Sequence, residues 1–411
     1  MPNAFSKSDI VFFEQVIAGF ENNNVVAKNT AIYTPNMEQM EQSGLTVKRP
    51  MPMISTSSSG RDVSSDYKDI TQLVVPSTLA ESDILNVPFK MNAVELNDPQ
   101  RRDQKAMSAA RQLSAQLDKA VATRVANYGS QVVVSANDMD TYAELSVAEA
   151  VLMEQGVSES MQRAMFLNPR DAAKVASDLA SRQTLQGRPL TAYERSALPP
   201  IAGFDTFRGN ILPTIAASAE SAATVNGANQ HHTPLKDIDN RFQTLTVNNT
   251  TLANGDAFTM AGVFAVNMET KQSTGQLQTF RVVAGGGTTS LTITPAIIPA
   301  DGSAQAQKEY ANVTTTPASG AAIVALNIAA KMSSIFFCRE AVEIIHGRLA
   351  VDDLQGGGVS VMRERTDSGI EIIFAKESGI DALETKYRLT MWAAANVLQP
   401  QMAGILLGNQ T

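Results

Sequence analysis

Residues 98–129, DPQRRDQKAMSAARQLSAQLDKAVATRVANYG, decide the fold of this chain because they predict one long amphipathic helix. Asp98 is a favoured N-cap, Pro99 suits the first helical position, and Gly129 provides the stop. One face is apolar at three- and four-residue steps, and it consists of Ala106, Ala110, Leu113, Leu117, Ala120, Val121 and Val125. We expect Asp118 to point away from this face. At about 1.5 Å per residue the helix is a rod of roughly 45 Å, which is a structural beam.

The composition predicts a cytosolic protein of two or three domains. The 411 residues are 44% hydrophobic and 18% charged, which is enough to build more than one core. A formal net charge of −8 argues against a general nucleic-acid binder, since neutralising phosphates needs a basic surface. No secretion signal is visible, and no segment has the ~18 consecutive apolar residues of a membrane span. The single cysteine, Cys338, excludes an intrachain disulfide.

Two segments before the long helix predict an arm and a projecting hairpin. Apolar residues between Ile10 and Ile17 suit a short helix capped by Ser8, but this region is too small to bury a core alone. Predicted strands at 45–53 and 70–79 flank a segment rich in Ser, Gly and Asp. Long polar projections are usually functional or without fixed structure. Two interpretations stay open: a surface loop without a partner, or an arm that lies on a neighbouring subunit.

After the long helix, the sequence predicts a mixed α/β region that contains an inserted β unit. A strand at 131–135 leads to a helix opened by the capping box Ser146 to Glu149, and Asn168 is the N-cap of the next helix. Between about 223 and 330, charges are scarce and glycine-containing turns separate short alternating runs, which indicates an antiparallel barrel or sandwich. Its predicted strands are 242–247, 257–266, 277–283 and 291–294, with a turn at 273–275. Later strands are predicted at 334–338, 342–345, 359–365, 369–375 and, as the last one, 387–396.

No group of residues in the sequence predicts a catalytic or metal site. His231 and His232 are adjacent, so on a strand they could not bind one metal together, and we interpret them as solvated loop residues. Cys338 lies in an apolar run, which favours a buried, inert thiol over a nucleophile. Glycine triplets at 285–287 and 356–358 lack the sequence context of phosphate-binding loops and predict turns. The sequence therefore predicts neither an enzyme nor a cofactor.

Short motifs, each weak alone, are spread along nearly the whole chain. They are Tyr33-Thr34-Pro35, Ser108-Ala109-Ala110-Arg111, Asn168-Pro169 with Asp171, Ala202-Gly203-Phe204-Asp205, Asp239-Asn240-Arg241-Phe242, Gly255-Asp256, Ala261-Gly262-Val263, Tyr310-Ala311-Asn312-Val313, and Arg388, Trp392, Asn396 and Pro400. In this order and spacing, the chain resembles the coat protein of short-tailed, Lederbergvirus-type bacteriophages. The resemblance implies an α+β fold, the tailed-phage capsid fold of the Hong Kong 97 type, with an inserted all-β domain.

The resemblance also implies a domain organisation and a set of partners. The expected parts are an N-terminal arm (1–35), an extended loop hairpin (36–85), a peripheral domain (86–150) with its spine helix (98–128), an axial domain in two pieces (151–222 and 331–385), an inserted β-barrel (223–330) and a C-terminal peripheral strand (386–411). The expected function is that of a major capsid protein that forms hexamers and pentamers of an icosahedral, triangulation-seven-type shell in the host bacterial cytoplasm. Scaffolding protein and portal protein are the implied partners, double-stranded DNA is enclosed without sequence-specific binding, no membrane takes part, and the virion is the final location. The segment 230–239 is shorter than the family's protruding loop, which leaves contacts between capsomers through that loop open.

Charged residues at two places are the predicted contacts between subunits. They are Arg61, Asp62, Asp66 and Lys68 at the hairpin tip, and Arg101 and Arg102 at the start of the long helix. For the helix start, the alternatives are pairing with nearby acids such as Glu95 or exposure to solvent. Two other functions stay open. One is the shell protein of a cellular nanocompartment of the same fold, and the other is a β-rich surface-binding protein, which would need an exposed aromatic patch.

Overall fold

The computed structural model describes residues 5–35, 45–58, 60–64, 67–181, 198–351, 359–379 and 383–410. Its helices there are α1 (Lys7–Asn23), α2 (Pro99–Tyr128), α3 (Tyr142–Glu154), α4 (Pro169–Ser181) and α5 (Gln305–Glu309). The strands are β1 (Ala31–Tyr33), β2 (Thr46–Pro50), β3 (Val74–Thr78), β4 (Ile84–Asn92), β5 (Gln131–Val134), β6 (Arg163–Leu167), β7 (Asp205–Arg208), β8 (Thr214–Ile215), β9 (Thr224–Val225), β10 (Gln243–Asn248), β11 (Ala257–Val266), β12 (Ser273–Ala284), β13 (Ser290–Thr294), β14 (Ile323–Ala325), β15 (Lys331–Met332), β16 (Ser334–Cys338), β17 (Val342–His346), β18 (Val359–Arg365), β19 (Glu371–Gly379), β20 (Glu384–Val397) and β21 (Ala403–Leu407).

The chain folds into two compact units, each built from separate segments. The first unit comprises Met1–Val47, Ser77–Val121 and Glu343–Asn396. The second unit comprises Lys48–Pro76, Ala122–Val342 and Val397–Thr411. The long helix contributes residues to both.

The predicted long helix is confirmed as α2, which begins at Pro99 and ends at Tyr128, directly before the predicted stop at Gly129. Its apolar face is buried, apart from the half-buried Ala120. The expectation that Asp118 points away from this face is wrong, because Asp118 is only 3% exposed. It lies three residues before the buried Val121, which places both on one side of a helix. Its carboxylate accepts the N–H groups of Val25 at 2.9 Å and Ala27 at 2.8 Å.

A mixed six-stranded sheet forms the first unit. Its order is β1-β17-β20-β19-β18, and β4 also pairs with β20. β1 runs parallel to β17, whereas β20 is antiparallel to both β4 and β19. This pairing corrects the domain boundary predicted between residues 385 and 386, because that boundary cuts through β20 and separates it from β19. The predicted last strand is also followed by another, β21, which belongs to the second unit.

The N-terminal helix packs on the sheet of the first unit through aromatic side chains. The Phe12 ring lies 5.8 Å from Phe89 and 5.7 Å from Phe374, measured between ring centroids. The predicted cap at Ser8 is wrong, because Ser6 is the N-cap and forms a capping box with Asp9. The helix therefore starts earlier than predicted and continues past Gly19 to Asn23. The apolar side of this helix therefore packs against the same chain.

A five-stranded sheet and two helices form the body of the second unit. The order is β5-β21-β16-β6-β7, with β16 antiparallel to its two neighbours and the outer pairs parallel. The predicted capping box at Ser146 is wrong, because α3 begins one turn earlier with Thr141 as its N-cap and Glu144 as the reciprocal partner. Asn168 caps α4 as predicted, accepting the N–H groups of Arg170 and Asp171.

The inserted β unit closes into a barrel within the second unit. Its strand order is β14-β11-β12-β13-β10-β9, which confirms the four predicted strands as β10 to β13. The turn predicted at 273–275 is wrong, because these residues already belong to β12. Thr224 bridges Ala322, so the two edges of the sheet meet. The barrel encloses an apolar core that includes Leu245, Val247, Phe258, Met260, Val263, Phe280, Leu291 and Ile293.

Candidate assembly interface

The tip of the predicted extended loop carries exposed charges. β2 and β3 form the two-stranded sheet at its base, which confirms the predicted pairing of these segments. Arg61, Asp62 and Lys68 are exposed, and Asp66 lies outside the described residues. Hydrogen bonds from the side chain and backbone of Ser64 lower the pKa of Asp62. Asp62 therefore stays ionised and open to a cationic partner.

The same loop exposes apolar side chains that the sequence interpretation passed over. Met53 is 54% exposed, Ile70 is 55% exposed and Tyr67 is 83% exposed. Apolar side chains along a loop that also carries charges make a surface typical of protein contacts. Their signal in the sequence is weak, because each of them stands alone among polar residues. The prediction that the charges of this loop contact a neighbouring subunit stays a prediction.

At the start of α2, Arg101 forms ion pairs within its own chain. Its guanidinium lies 3.6 Å from Glu95 and 3.5 Å from Asp98, and its side chain is 60% exposed. This is one of the alternatives that the sequence left open for the helix start. Exposed ion pairs contribute roughly 0 to 1 kcal/mol, so these acids hold Arg101 only weakly. The side chain remains available to a neighbour.

Arg102, the next residue, is held much more firmly. Its Nη2 lies 3.3 Å from Asp9 Oδ1, while Lys376 Nζ donates to Asp9 Oδ2 at 2.9 Å. The Arg102 side chain is 18% exposed and the Asp9 side chain 3% exposed. Burial raises the pKa of Asp9, but hydrogen bonds from Lys376 and Ser6 outweigh it, so the pKa falls below its ordinary value. Arg102 thus fixes α1 to α2 inside the first unit.

Asp118 fixes the end of α1 to the middle of α2. Burial raises its pKa above the ordinary value, and the N–H groups of Val25 and Ala27 counteract this effect only in part. Ser114 Oγ adds a hydrogen bond of 2.7 Å to Asn24 Oδ1. The segment that follows α1 is therefore anchored to α2. Asp118 lies about ninety residues from Val25 in the chain, so no local sequence pattern could have predicted this contact.

The short loop 230–239 of the barrel is compact. Asn240 Oδ1 accepts the N–H of Leu235 at 3.0 Å and lies 2.9 Å from His232 Nε2. Its Nδ2 donates to the carbonyl groups of Leu235 and Ile238. His231 is exposed, as predicted for a solvated loop residue, but the prediction is wrong for the half-buried His232. The Asn240 side chain thus joins several parts of this loop, and Gln307 Nε2 also donates to the His232 carbonyl and to Thr233 Oγ1.

Two other residues with potential chemistry, Cys338 and His346, are buried. Burial raises the pKa of the Cys338 thiol to about 11, which confirms the predicted buried thiol. His346 is 4% exposed and its Nε2 lies 2.8 Å from Thr34 Oγ1. Within the described ranges, no three or more His, Cys, Asp or Glu side chains are grouped to hold a metal ion. In the same ranges, no helix combines the length and apolarity needed to cross a membrane.

Several solved structures are similar to this chain. The chain is 13% identical to a chain in the capsid structure of cyanophage P-SCSP1u, over 94% of this chain and 89% of that one, with a TM-score of 0.47. It is 9% identical to the virus-like particle from Pyrococcus furiosus, over 96% of this chain and 97% of that one, with a TM-score of 0.44. Over 26% of its length it is 46% identical to the CUS-3 coat protein I-domain, covering 96% of that chain, with a TM-score of 0.23.

The class of protein, a phage coat protein, is shown by a family match that covers nearly the whole chain. The family described as P22 coat protein, gene protein 5, matches residues 1–408. The chain belongs to this family, and it is the major capsid protein of a tailed bacteriophage. The expected role of a major capsid protein and the expected fold class, α+β of the Hong Kong 97 type, are both confirmed.

Proposed function

We propose that this chain builds the icosahedral shell of a short-tailed, Lederbergvirus-type phage. Hexamers and pentamers of the chain tile a shell of the triangulation-seven type. The match of the coat protein family to residues 1–408 carries this proposal, because it spans the arm, the spine helix, the inserted barrel and the C-terminal strands together. The chain acts through its interfaces and catalyses no reaction.

The mechanism follows from the division between firmly held and exposed parts. The arm is held to the spine by Asp9 and Asp118, so α1 and α2 stay together within the first unit. The extended loop exposes Arg61, Asp62 and Lys68, which contact a neighbouring copy. An arm fixed to the spine, together with a loop that can change its contacts, allows the same sequence to occupy both hexamers and pentamers. Arg101 adds an ionic contact at the edge of the spine.

The partners follow from the same proposal. Scaffolding protein directs assembly in the host bacterial cytoplasm, portal protein occupies one vertex, and the shell becomes part of the virion. Double-stranded DNA is enclosed rather than bound by sequence. The net charge of −8 supports this view, because an acidic chain does not attract phosphates, and weak attraction lets the genome enter and leave.

Sedimentation velocity and electron microscopy test the shell. The chain is expressed alone and together with the scaffolding protein encoded beside its gene. We expect closed particles of megadalton mass in the co-expression. A stable monomer in both cultures would contradict the proposal. Genes for a portal and a terminase next to the coat gene distinguish a phage from a nanocompartment, and the family match favours the phage.

Neutralising the charges of the loop tests the predicted interface. The variant R61Q/D62N/D66N/K68Q should melt like the parent chain as a monomer, because the described members of this set are exposed, yet fail to form shells. The control K90Q/E384Q removes an exposed ion pair between β4 and β20 and should assemble normally. Shells in normal yield from the first variant would show that these charges are not needed for assembly.

A further inference from the structure

The exposed side of α2 carries a strip of cations and uncharged polar side chains. All its members are exposed, and they are Gln104, Lys105, Ser108, Arg111, Gln112 and Lys119. At about 100° per residue, these six side chains share about a third of the circumference of the helix. Lys105 and Lys119 are about 21 Å apart along the helix axis. We name this surface the basic strip.

The three cations of the basic strip form no ion pair with any residue in the part of the chain that the structure describes. Two acids at the start of the helix, Glu95 and Asp98, pair with Arg101 instead. Glu95 and Lys105 line the same shallow depression of about 310 Å³, but no ion pair joins them. The positive charges of the strip are therefore open to an external partner.

The acidic residues of α2 lie outside the basic strip. Asp118 is buried. Asp103 is exposed, but it lies about 160° around the helix from Lys105 and about 80° from Arg111. The exposed Met107 borders the strip on the side of Asp103, about 40° from Arg111. On a chain whose net charge is −8, the strip is therefore a local surface of the opposite sign.

The composition of the basic strip favours a phosphate backbone over another protein surface. The centres of protein–protein interfaces are rich in apolar and aromatic side chains and depleted in Lys and Ser. Contacts to nucleic-acid phosphates are made by Arg and Lys together with Ser and Gln. All six side chains of the strip belong to this second set. Cations that follow one face of a helix are also the electrostatic footprint of a nucleic-acid contact.

We propose that the basic strip contacts the phosphate backbone of the enclosed double-stranded DNA without reading its sequence. The inference rests on the proposed function, because the enclosed genome is the polyanion that a phage shell contains. Three cations neutralise few phosphates, and the acidic remainder of the chain repels DNA, so the contact is weak. It follows that this side of α2 faces the interior of the shell.

The salt dependence of DNA binding measures the contact. The monomeric full-length chain is titrated into a fluorescently labelled duplex of about 30 base pairs, and anisotropy reports binding. Each neutralised phosphate contributes about −0.9 to the slope of log affinity against log salt, so three contacts give a slope of about −2.7. We therefore expect the affinity to fall roughly fortyfold between 50 and 200 mM salt. No salt-dependent binding by the parent chain would overturn the inference.

Two triple variants with the same change in charge test the position of the contact. K105Q/R111Q/K119Q removes the cations of the strip, whereas R170Q/K236Q/K308Q removes one arginine and two lysines that are exposed in the second unit. Both should melt within the error of the parent. At about 50 mM salt, the first variant should bind the duplex about tenfold or more weakly, and the second should keep most of the parent affinity. Equal affinities for the two variants would overturn the inference.

Shell assembly distinguishes DNA from a second copy of the chain as the partner. K105Q/R111Q/K119Q should form empty shells in the yield of the parent, because the strip contacts no other copy. A loss of shells in this variant alone, with DNA binding unchanged, would assign the strip to an interface between copies and overturn the inference. If the parent chain forms no particles, the proposed function fails and the inference with it. If the parent forms particles but its DNA binding does not depend on the strip, only the DNA contact fails.

Discussion

The inserted barrel and the first unit are built in opposite ways from the same chain. All strands of the barrel, β9 to β14, come from one continuous stretch between residues 224 and 325. In the first unit, Ala31 of β1 pairs with Glu343 of β17, and Lys90 of β4 pairs with Lys386 of β20. The barrel therefore contains its own folding information, whereas the first unit forms only after both ends of the chain are available.

The two ends of the insertion are also joined to each other. β8 pairs with β15, and Ser333 N donates to the Pro213 carbonyl at 3.0 Å. Further in, Asn327 donates to the carbonyl of Ala216 and to the carboxylate of Asp256. These contacts close the barrel at its base. The barrel is therefore a unit that can be excised with its two ends still paired to each other.

The largest expected effect comes from excising the barrel. A fragment of residues 213–333 should fold alone and melt in one cooperative transition, measured by circular dichroism. Removing the same residues and joining the ends with a short glycine-serine linker should leave the first unit folded. As a control, Phe258→Ala in the fragment removes a fully buried ring, costs about 3 to 5 kcal/mol, and should abolish the transition. A fragment that gives no cooperative melt would contradict this comparison.

Replacing the single tryptophan should destabilise the first unit alone. Trp392 packs with Val47, Leu79 and Ile345, and its Nε1 donates to the Ala80 carbonyl at 3.0 Å. Trp392→Ala should cost about 3 to 5 kcal/mol, and scanning calorimetry should show the transition of the first unit at lower temperature.

The matched variant for this experiment is in the barrel. Phe280 is fully buried against Phe258, so Phe280→Ala should lower the barrel transition instead. If both variants shift one common transition, the two regions do not unfold separately and the contrast fails.

The parts of the fold that could be predicted from the sequence are those built from neighbouring residues, as the barrel is. The barrel strands were predictable because turns and alternating residues are local signals. The long helix was predictable for the same reason, from its cap, stop and periodicity. The pairing of β20 with β4 was not, since pairing over about three hundred residues leaves no trace in one sequence. β21 was missed because its five residues, all buried, show no alternation.

In the candidate interface, too, local features could be predicted from the sequence and long-range contacts could not. Exposed charges at Arg61 and Asp62 could be predicted from composition, because a polar segment between two strands is a local pattern. The role of Arg102 could not, since its partner Asp9 is more than ninety residues away. Asp118 was misjudged because polarity suggested exposure, while tertiary contacts made a carboxylate the acceptor for buried N–H groups. Local sequence patterns identified the exposed charges, whereas only the tertiary structure showed which charged side chains are fixed by buried ion pairs or hydrogen bonds.

Glu220 should give the barrel a pH dependence of its own. Desolvation raises the pKa of Glu220, but N–H groups of Thr251 and Ala222, with others, lower it to about 2. Since the folded pKa is below the ordinary value of 4.5, the stabilisation is present above pH 4.5 and is lost as pH falls towards 2. The 213–333 fragment should therefore melt at lower temperature at pH 3 than at pH 6.

The control for this prediction removes the carboxylate. Glu220→Ala leaves backbone N–H groups without their acceptor, which costs about 1 to 3 kcal/mol, and it should also flatten the pH dependence between pH 6 and pH 3. In the first unit, the raised pKa of Asp118 acts with the opposite sign, because it weakens folding as pH rises through the carboxylate range. An unchanged pH profile in the Glu220→Ala fragment would contradict the assignment.

The smallest expected effects separate two neighbouring arginines of the first unit. Arg102→Ala removes a charged donor from the buried Asp9 and should cost about 1.5 kcal/mol in the free energy of unfolding of the monomer. Arg101→Ala removes an exposed pair and should change this free energy by less than about 0.5 kcal/mol. The two variants therefore serve as controls for each other in urea denaturation. If Arg101 also contacts a neighbouring subunit, its replacement should lower shell yield while leaving the monomer unchanged, an outcome that a purely internal ion pair would not produce.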